Sequence, residues 1–406
     1  MRVLILSQYY PPEPLARLHD LSRFLVARGH SVVVVTTFPS YPHGKIYSGY
    51  RARLRTAREE DGVRVIRVWS VLHRGGVKVT RALNYLSFAL SAFVLGMFSV
   101  PRPDVVFVYH PPLTTGVIAA LYRALRSVPF VFDVHDLWPE GIVAAGMLRE
   151  HSSAWSIVRR IERFIYQRAT RINVIAEGMK QNLIGKGVPK EKLSVISNWG
   201  DPDNFKPINA TVIRDRFGWS GRFIVMVAGN LGLTHGLETV LEAAGLLCSQ
   251  EKIQFVFMGT GSALSDLHRR ARLLPNITFL PRAESAVDAN EIINAADVLL
   301  IHLRADAGGE FSVPHRLFSY MHCGKPVIVA AHGSTAAIVI EHGCGWTCPP
   351  SNPEALSQLV LRIAANPGDC QRLGTNGWQA AKHDFGRTRL LEMLEQTILA
   401  AASTNA

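Results

Sequence analysis

No cysteine occurs before Cys248, and the five that follow, Cys248, Cys323, Cys344, Cys348 and Cys370, are odd in number. That argues against a disulfide framework, and Cys344-x-x-x-Cys348 has no second pair to complete a zinc site. A reduced, cytosolic compartment is the expectation. The N-terminus MRVLILSQYYPPEP lacks the character of a secretory signal, because its apolar run Val3–Leu6 is strand-sized and a proline pair follows. Acidic residues are scarce in one half only: residues 1–200 carry 27 Lys+Arg against 13 Asp+Glu, and residues 201–406 carry 17 against 19. A basic half joined to a near-neutral half reads as two domains with different partners. No interleaving of aromatic and basic residues marks a nucleic-acid groove, so nucleic acid is not expected as a partner.

What is present beside that charge is apolar. Arg51, Arg53, Arg55 and Arg58, then His73, Arg74, Lys78 and Arg81, precede the uncharged stretch Leu83–Val100. The arrangement suits an anionic membrane surface, with a solvated basic face as the plainer alternative. At 18 residues the stretch reaches the lower edge of a membrane span, but it contains Asn84, Ser87, Ser91, Gly96 and Ser99 and ends at Pro101. We read a helix partly buried in its domain and partly dipping into one leaflet; a fully buried core helix fits the same composition.

Elsewhere the pattern is strand, turn, helix, repeated. Val3–Leu6, Ser31–Thr36, Val63–Val68, Val105–Val108, Phe130–Val134 and Arg171–Ile175 are short runs of Val, Ile and Phe without alternation, as in strands covered on both faces. Leu15–Arg28, stopped by Gly29, and Ser156–Arg168 carry helical patterns. The second half repeats the plan with strands at Phe223–Ala228, Phe255–Met258, Ile277–Leu280, Val298–Ile301 and Pro326–Val329. The fold class is therefore α/β, with two doubly wound, Rossmann-like parallel-sheet domains facing across a cleft. The boundaries are 1–197 and 205–384, with a turn-rich linker at Ser197–Pro207. Ligands of such sheets sit beyond the carboxyl ends of the strands.

Three groups of residues are placed for chemistry. Gly308–Ile328 opens with a glycine pair, puts Pro314 at a helix start and continues as a helix to Cys323. Backbone amides around Ser312, Val313 and His315 would face a phosphate there, and Arg316 in the first turn could clamp it. The turn Val227–Gly236, with Gly229, Gly232 and His235, enters another helix. In the first half, His110 ends one strand and His135, Asp136 and Glu140 follow the next, an acid/base or sugar-hydroxyl set at the cleft rim.

Taken together, several motifs resemble the retaining GT-B glycosyltransferases of family 4. They are Gln8–Pro14 (QYYPPEP), Thr37–Lys45 (TFPSYPHGK), Asp136–Glu140 (DLWPE), Gly229–Gly232 (GNLG), His235–Glu238 (HGLE), Pro314–Tyr320 (PHRLFSY) and Gly324–Val327 (GKPV). They span nearly the whole chain in order, and the branch is similar to bacterial surface-polysaccharide transferases, including N-acetyl-fucosaminyl transferases. The resemblance implies a C-terminal nucleotide-sugar domain, an N-terminal acceptor domain and a final helix, 385–401, that crosses back. It implies no metal and no cofactor, with basic residues neutralising the diphosphate. Glu310 stands near the family's sugar-side Glu, one residue out of spacing, and Ser319 takes the place of its ribose-side Glu. Asn230 and His235 fall where relatives carry Arg and Lys, so Arg316 with Arg282 or Arg304 would bear the diphosphate charge.

The expected function is transfer of a hexose or N-acetylhexosamine from a nucleotide diphosphate sugar, UDP-linked, to a lipid-linked glycan. The setting is the cytoplasmic face of the membrane during surface polysaccharide biosynthesis, whether lipopolysaccharide or capsule. His110, Asp136, Glu140 and Glu310 form the catalytic set. Two rivals are a non-catalytic nucleotide-sugar-binding subunit, suggested by Ser319 and the offset Glu310, and a nucleotide-sugar epimerase of the same fold.

Overall fold

The computed structural model describes residues 1–41, 44–73, 78–144, 146–304, 311 and 313–404. The chain divides into two compact units, Met1–Ser197 with Leu391–Ala406, and Asn198–Leu390.

The first unit is built on an eight-stranded sheet in the order β3-β4-β2-β1-β5-β6-β7-β8. The strands are β1 (Arg2–Leu6), β2 (Ser31–Thr37), β3 (Arg55–Glu60), β4 (Val63–Val68), β5 (Val105–His110), β6 (Phe130–Val134), β7 (Arg171–Val174) and β8 (Leu193–Val195). Central β1 pairs in parallel with β2 and β5, which sets Val3 opposite Val32 and Val105. Every residue of β5 and β6 is buried, the reason their sequences run apolar without alternating.

The expectation of a wholly parallel sheet is corrected at one edge. β3 runs antiparallel to β4, from Arg55 opposite Val68 to Glu60 opposite Val63. The cause is the dipeptide between them. Asp61 and Gly62 both adopt positive φ, 51° and 76°, the backbone of a two-residue hairpin turn that matches strand twist.

The apolar stretch forms a helix, Lys78–Ser91, that continues as a π-turn over Ala92–Gly96 and a 3-10 turn over Met97–Ser99. Phe88, Ala89, Ala92 and Met97 face inward. Gly96 lies so close to the sheet that a Cβ there would meet Val35 Cγ1 at 2.6 Å. Val79, Leu83, Leu86, Leu90, Val94 and Phe98 are exposed, at the three- and four-residue spacing of one helical face. A fully buried core helix is thereby excluded. By length and composition the segment Val79–Ser99 is sufficient to cross a membrane, although its other face belongs to the domain core.

The second unit holds a six-stranded parallel sheet in the order β11-β10-β9-β12-β13-β14. Its strands are β9 (Phe223–Asn230), β10 (Ile253–Thr260), β11 (Ile277–Leu280), β12 (Val298–His302), β13 (Val327–Ala330) and β14 (Gly345–Cys348). One side of the core gathers Val225, Val227, Phe255, Phe257, Leu300 and Ile328 against the helices Leu237–Leu246 and Pro353–Ala365. β9 and β10 converge at their carboxyl ends: a Cβ on Gly259 would lie 1.9 Å from the Gly229 carbonyl oxygen. Only two glycines allow that approach, and both have positive φ, 114° at Gly229 and 139° at Gly259.

The last helix, Arg387–Ser403, belongs to the first unit from Leu391 onward. Its Glu395 is buried and receives Arg28 Nε at 3.2 Å and His30 Nε2 at 2.9 Å.

Candidate functional site

Two sets of polar residues stand at carboxyl ends of strands, one in each unit. In the second unit the set forms where β9 and β12 lie side by side. The Arg316 guanidinium donates to the Asn230 carbonyl at 2.7 Å and to His235 Nε2 at 2.8 Å. It also lies under Gly229, where an added Cβ would stand 3.7 Å from its Cζ. His235 in turn offers its carbonyl to His302 Nδ1 at 2.6 Å, and His302 Nε2 accepts the Ser351 amide at 3.1 Å. Those partners fix His302 as the neutral Nδ1–H tautomer. Burial, then the charge of Arg316, pushes His235 down to about 4, so the imidazole is neutral and accepts from Arg316. Arg316 therefore remains a full positive charge with no carboxylate opposing it in the described residues.

Tyr320, one turn beyond Arg316, locks this arrangement. Its hydroxyl accepts the Ala228 amide and donates to the Ala228 carbonyl, both at 2.8 Å, which fastens the helix to the end of β9. Ser319 is half-buried, three residues along from Arg316 and on its helix face, and its hydroxyl has no partner in the described residues.

Other expectations fare differently. The helix runs only from Arg316 to His322, seven residues, and so begins later than its proline signalled. The amides of Leu317 and Phe318 already bond to Pro314 and His315 carbonyls, and Val313 is buried while His315 is exposed. Glu310 and Ser312 lie outside the described residues. Arg304 follows β12 but faces Glu238 at 3.4 Å, which opposes its charge. Arg282 follows β11, separated from β9 by β10, and is exposed; it is not brought into the set. Gly232 is buried with an ordinary φ of −88°.

In the first unit, His110 ends β5, but not at a rim: it is 1% exposed. Its ring packs against Phe132 and edge-on to Trp138, with centroids 5.4 and 5.3 Å away, and neither ring nitrogen has a hydrogen-bond partner among the described residues. Burial, aided by His135, pushes its pKa down to about 3, so it is a neutral donor and acceptor. An unsatisfied buried imidazole is costly for folding, and polar groups of that kind concentrate at binding sites.

Beside it is a charged network that sequence reasoning missed. Asp133 accepts Arg17 Nε at 3.0 Å, His135 Nε2 at 2.9 Å and Asn173 Nδ2 at 2.5 Å. Arg17 also donates to the Ser197 carbonyl at 2.8 Å. The signal available was a lone Asp within the apolar run Phe130–Val134; Arg17 is one of three arginines in residues 15–28 and nothing in the pattern singles it out. Asp136 is exposed on the loop after β6. Glu140 leaves the expected set altogether: Lys186 Nζ holds it at 2.8 Å and holds the buried Glu162 at 2.8 Å as well.

The loop motifs at 8–14 and 37–45 prove to be one joint. Buried Glu13 accepts the amides of Tyr10 at 3.1 Å and of Ser40 and Tyr41 at 2.8 Å. The Asp201-Pro202-Asp203 triplet is engaged structurally, with Asp201 accepting the Asp203 amide at 3.2 Å and Asp203 pairing with Arg387 at 2.8 Å. Among the described residues no three His, Cys, Asp or Glu side chains converge as a metal site.

Residues 14–199 match the glycosyl transferase 4-like domain and residues 210–380 the glycosyl transferases group 1 domain. The chain belongs to the family-4 glycosyltransferases. This glycosyltransferase is 31% identical over 272 residues to WbjE of Pseudomonas aeruginosa, named as a glycosyltransferase, a match spanning 64% of this chain and 66% of that one. It is 25% identical over 376 residues to WcaI of Escherichia coli K12, named as a colanic acid biosynthesis glycosyl transferase, covering 89% and 91% of the two chains. Its fold is GT-B. Anabaena HepE, solved in complex with UDP, superposes with a TM-score of 0.70 at 16% identity over 98% of this chain and all of that one. WaaG, a glycosyltransferase involved in lipopolysaccharide biosynthesis, gives 0.68 at 17% identity over 98% and 99%.

Proposed function

We propose that this glycosyltransferase moves a hexose or N-acetylhexosamine from a UDP-linked donor to a lipid-linked glycan, with retention at the anomeric carbon, in bacterial polysaccharide biosynthesis. The observation that carries the reading is the guanidinium of Arg316, positively charged and, among the described residues, unopposed by a carboxylate at the carboxyl end of β9. As the bond from anomeric carbon to diphosphate breaks, the leaving group takes the electron pair, and its growing charge is stabilised by a preorganised cation. Ser319, on the same helix face, bonds a ribose hydroxyl in this reading. In the first unit, the neutral His110 bonds the sugar or the incoming hydroxyl through nitrogens that lack a partner among the described residues. The names of relatives support the biosynthetic setting, and HepE's UDP supports the donor class.

The acceptor reading rests on the first unit's surface. The exposed stripe Val79, Leu83, Leu86, Leu90, Val94 and Phe98 enters one leaflet at the inner face of the membrane. Arg126 lies over Phe98, 5.7 Å from its ring, and meets anionic headgroups at the boundary.

Incubation with a panel of UDP-, GDP- and dTDP-sugars, followed by isolation of the product, tests the reading. Retained anomeric configuration without added divalent metal is expected. An inverted product, a strict metal requirement, or donor binding without transfer to any acceptor would overturn it.

A further inference from the structure

The arginines of the first unit do not form a flat basic face. Arg51, Arg53, Arg55 and Arg58 line a cavity of about 720 Å³ together with Arg67, Tyr50 and Phe38, and Glu60 is the one acidic residue of its wall. The hairpin builds it. β3 sets Thr56 opposite Arg67 and Arg58 opposite Val65, so Thr56, Arg58 and Glu60 share a face with Arg67 and Val65. Tyr50, 5.1 Å from the Arg67 guanidinium, closes the other side.

Four of these five guanidinium groups, those of Arg51, Arg53, Arg55 and Arg58, make no hydrogen bond or ion pair in the described residues. The fifth is built in. Arg67 is 2% exposed and donates to the Thr37 carbonyl at 3.1 Å and to the Pro11 carbonyl, with Glu60 at 3.4 Å, while its Nε has no partner among the described residues. One half-buried carboxylate thus stands in a wall to which five arginines contribute. Protection of an open sheet edge accounts for charge on β3, but either sign serves that purpose, and Arg51 and Arg53 lie before the strand.

Position adds to composition. Phe38 follows directly on β2 and Arg67 is next to last in β4, so one end of the cavity lies at the carboxyl end of the sheet, where ligands of parallel sheets bind, and it extends along β3 to Glu60. Guanidinium forks match the oxygens of phosphate in bidentate fashion and hold them better than they hold diffuse charge.

We propose that this cavity is a binding site for a phosphate or diphosphate group, that of the acceptor, separate from the site for the donor. The assignment rests on the reading of a lipid-linked acceptor. Its test is independent of turnover, so failure of the pocket and failure of the transfer reading are distinguishable.

The probe is inorganic pyrophosphate, titrated calorimetrically into the full chain with UDP held at saturation. One pyrophosphate is expected to bind, at least tenfold more weakly in Arg53→Ala/Arg58→Ala, and with unchanged affinity in Arg149→Ala/Lys190→Ala, which removes the same charge elsewhere on the unit. No binding under UDP saturation overturns the proposal, as does equal weakening in both double variants, which would mark a diffuse field. A second arm uses phosphatidylglycerol vesicles. If Arg53→Ala/Arg58→Ala loses vesicle binding while pyrophosphate binding is unaffected, the arginines serve bilayer headgroups and the pocket is rejected. Melting temperatures within one degree of wild type keep the variants interpretable.

Discussion

The guanidinium of Arg17 holds the carboxylate of Asp133 at 3.0 Å, with side-chain exposures of 2% and 0%. The residues are 116 positions apart, on the helix Ala16–Ala27 and on β6. Burial alone would raise the Asp133 pKa, but Arg17, His135 and Asn173 outweigh it and hold the carboxyl well below its usual range. Removing one partner strands a buried charge, which typically costs about 3–5 kcal/mol. Arg17→Met should therefore lower the urea midpoint sharply, and more than Arg23→Met, whose side chain is largely exposed. Equal losses would show that the pair contributes no more than surface charge.

His110 supplies a pH signature. Its folded pKa is depressed from 6.5 to about 3, so the unfolded chain binds the extra proton between those values. Stability attributable to His110 is present above pH 6.5 and falls as pH drops toward 3. His110→Phe should flatten that acid limb in thermal melts and abolish transfer; His110→Asn should retain some transfer by keeping a hydrogen-bonding group. Full activity in His110→Phe would remove it from the site.

Glu162 gives the opposite slope. Burial raises it from 4.5 to about 7 despite Lys186, so the folded state holds the proton longer. Its contribution to stability is complete below pH 4.5 and is lost as pH rises through 7. Glu162→Gln should remove that decline, leaving melting temperature flatter between pH 5 and about pH 8.

Arg316→Ala should weaken binding of UDP-sugar donors by about 1.5–3 kcal/mol, the usual worth of a hydrogen bond to a charged group. Arg282→Ala should change it little, because its strand is not adjacent to β9. Isothermal titration of both variants decides the matter, and an unchanged affinity in Arg316→Ala removes it from the donor site.

Membrane attachment divides by salt. The charged part of vesicle binding is screened beyond a Debye length of about 8 Å at physiological ionic strength, whereas the apolar part is not. Leu86→Asp/Leu90→Asp should abolish the fraction that survives high salt in vesicle co-sedimentation. Survival of that fraction would show that the stripe stays out of the bilayer.

Most strands were legible because their burial on both faces writes itself as unbroken Val, Ile and Phe. β3 was not, since Arg-Thr-Ala-Arg-Glu-Glu on an edge has nothing apolar to display; only Asp61-Gly62 announced it. Arg316 was found because it sits beside a glycine-marked helix start. His110 was found but assigned to a rim, because a strand end tells nothing of the Phe132 and Trp138 rings that cover it. Arg17 with Asp133, and Lys186 with Glu162, depend on contacts between distant segments, where one residue carries no trace of its partner.

The return of the last helix to the first unit has a consequence for biosynthesis. Residues 198–390 are complete before Leu391 leaves the ribosome, so the unit begun first is finished last. Until then Arg28 and His30 lack Glu395, and the surface that will receive Leu394 and Ile398 is open. A nascent chain in that state is an incomplete domain held on a complete one, the condition in which chaperones and proteases compete for exposed apolar surface.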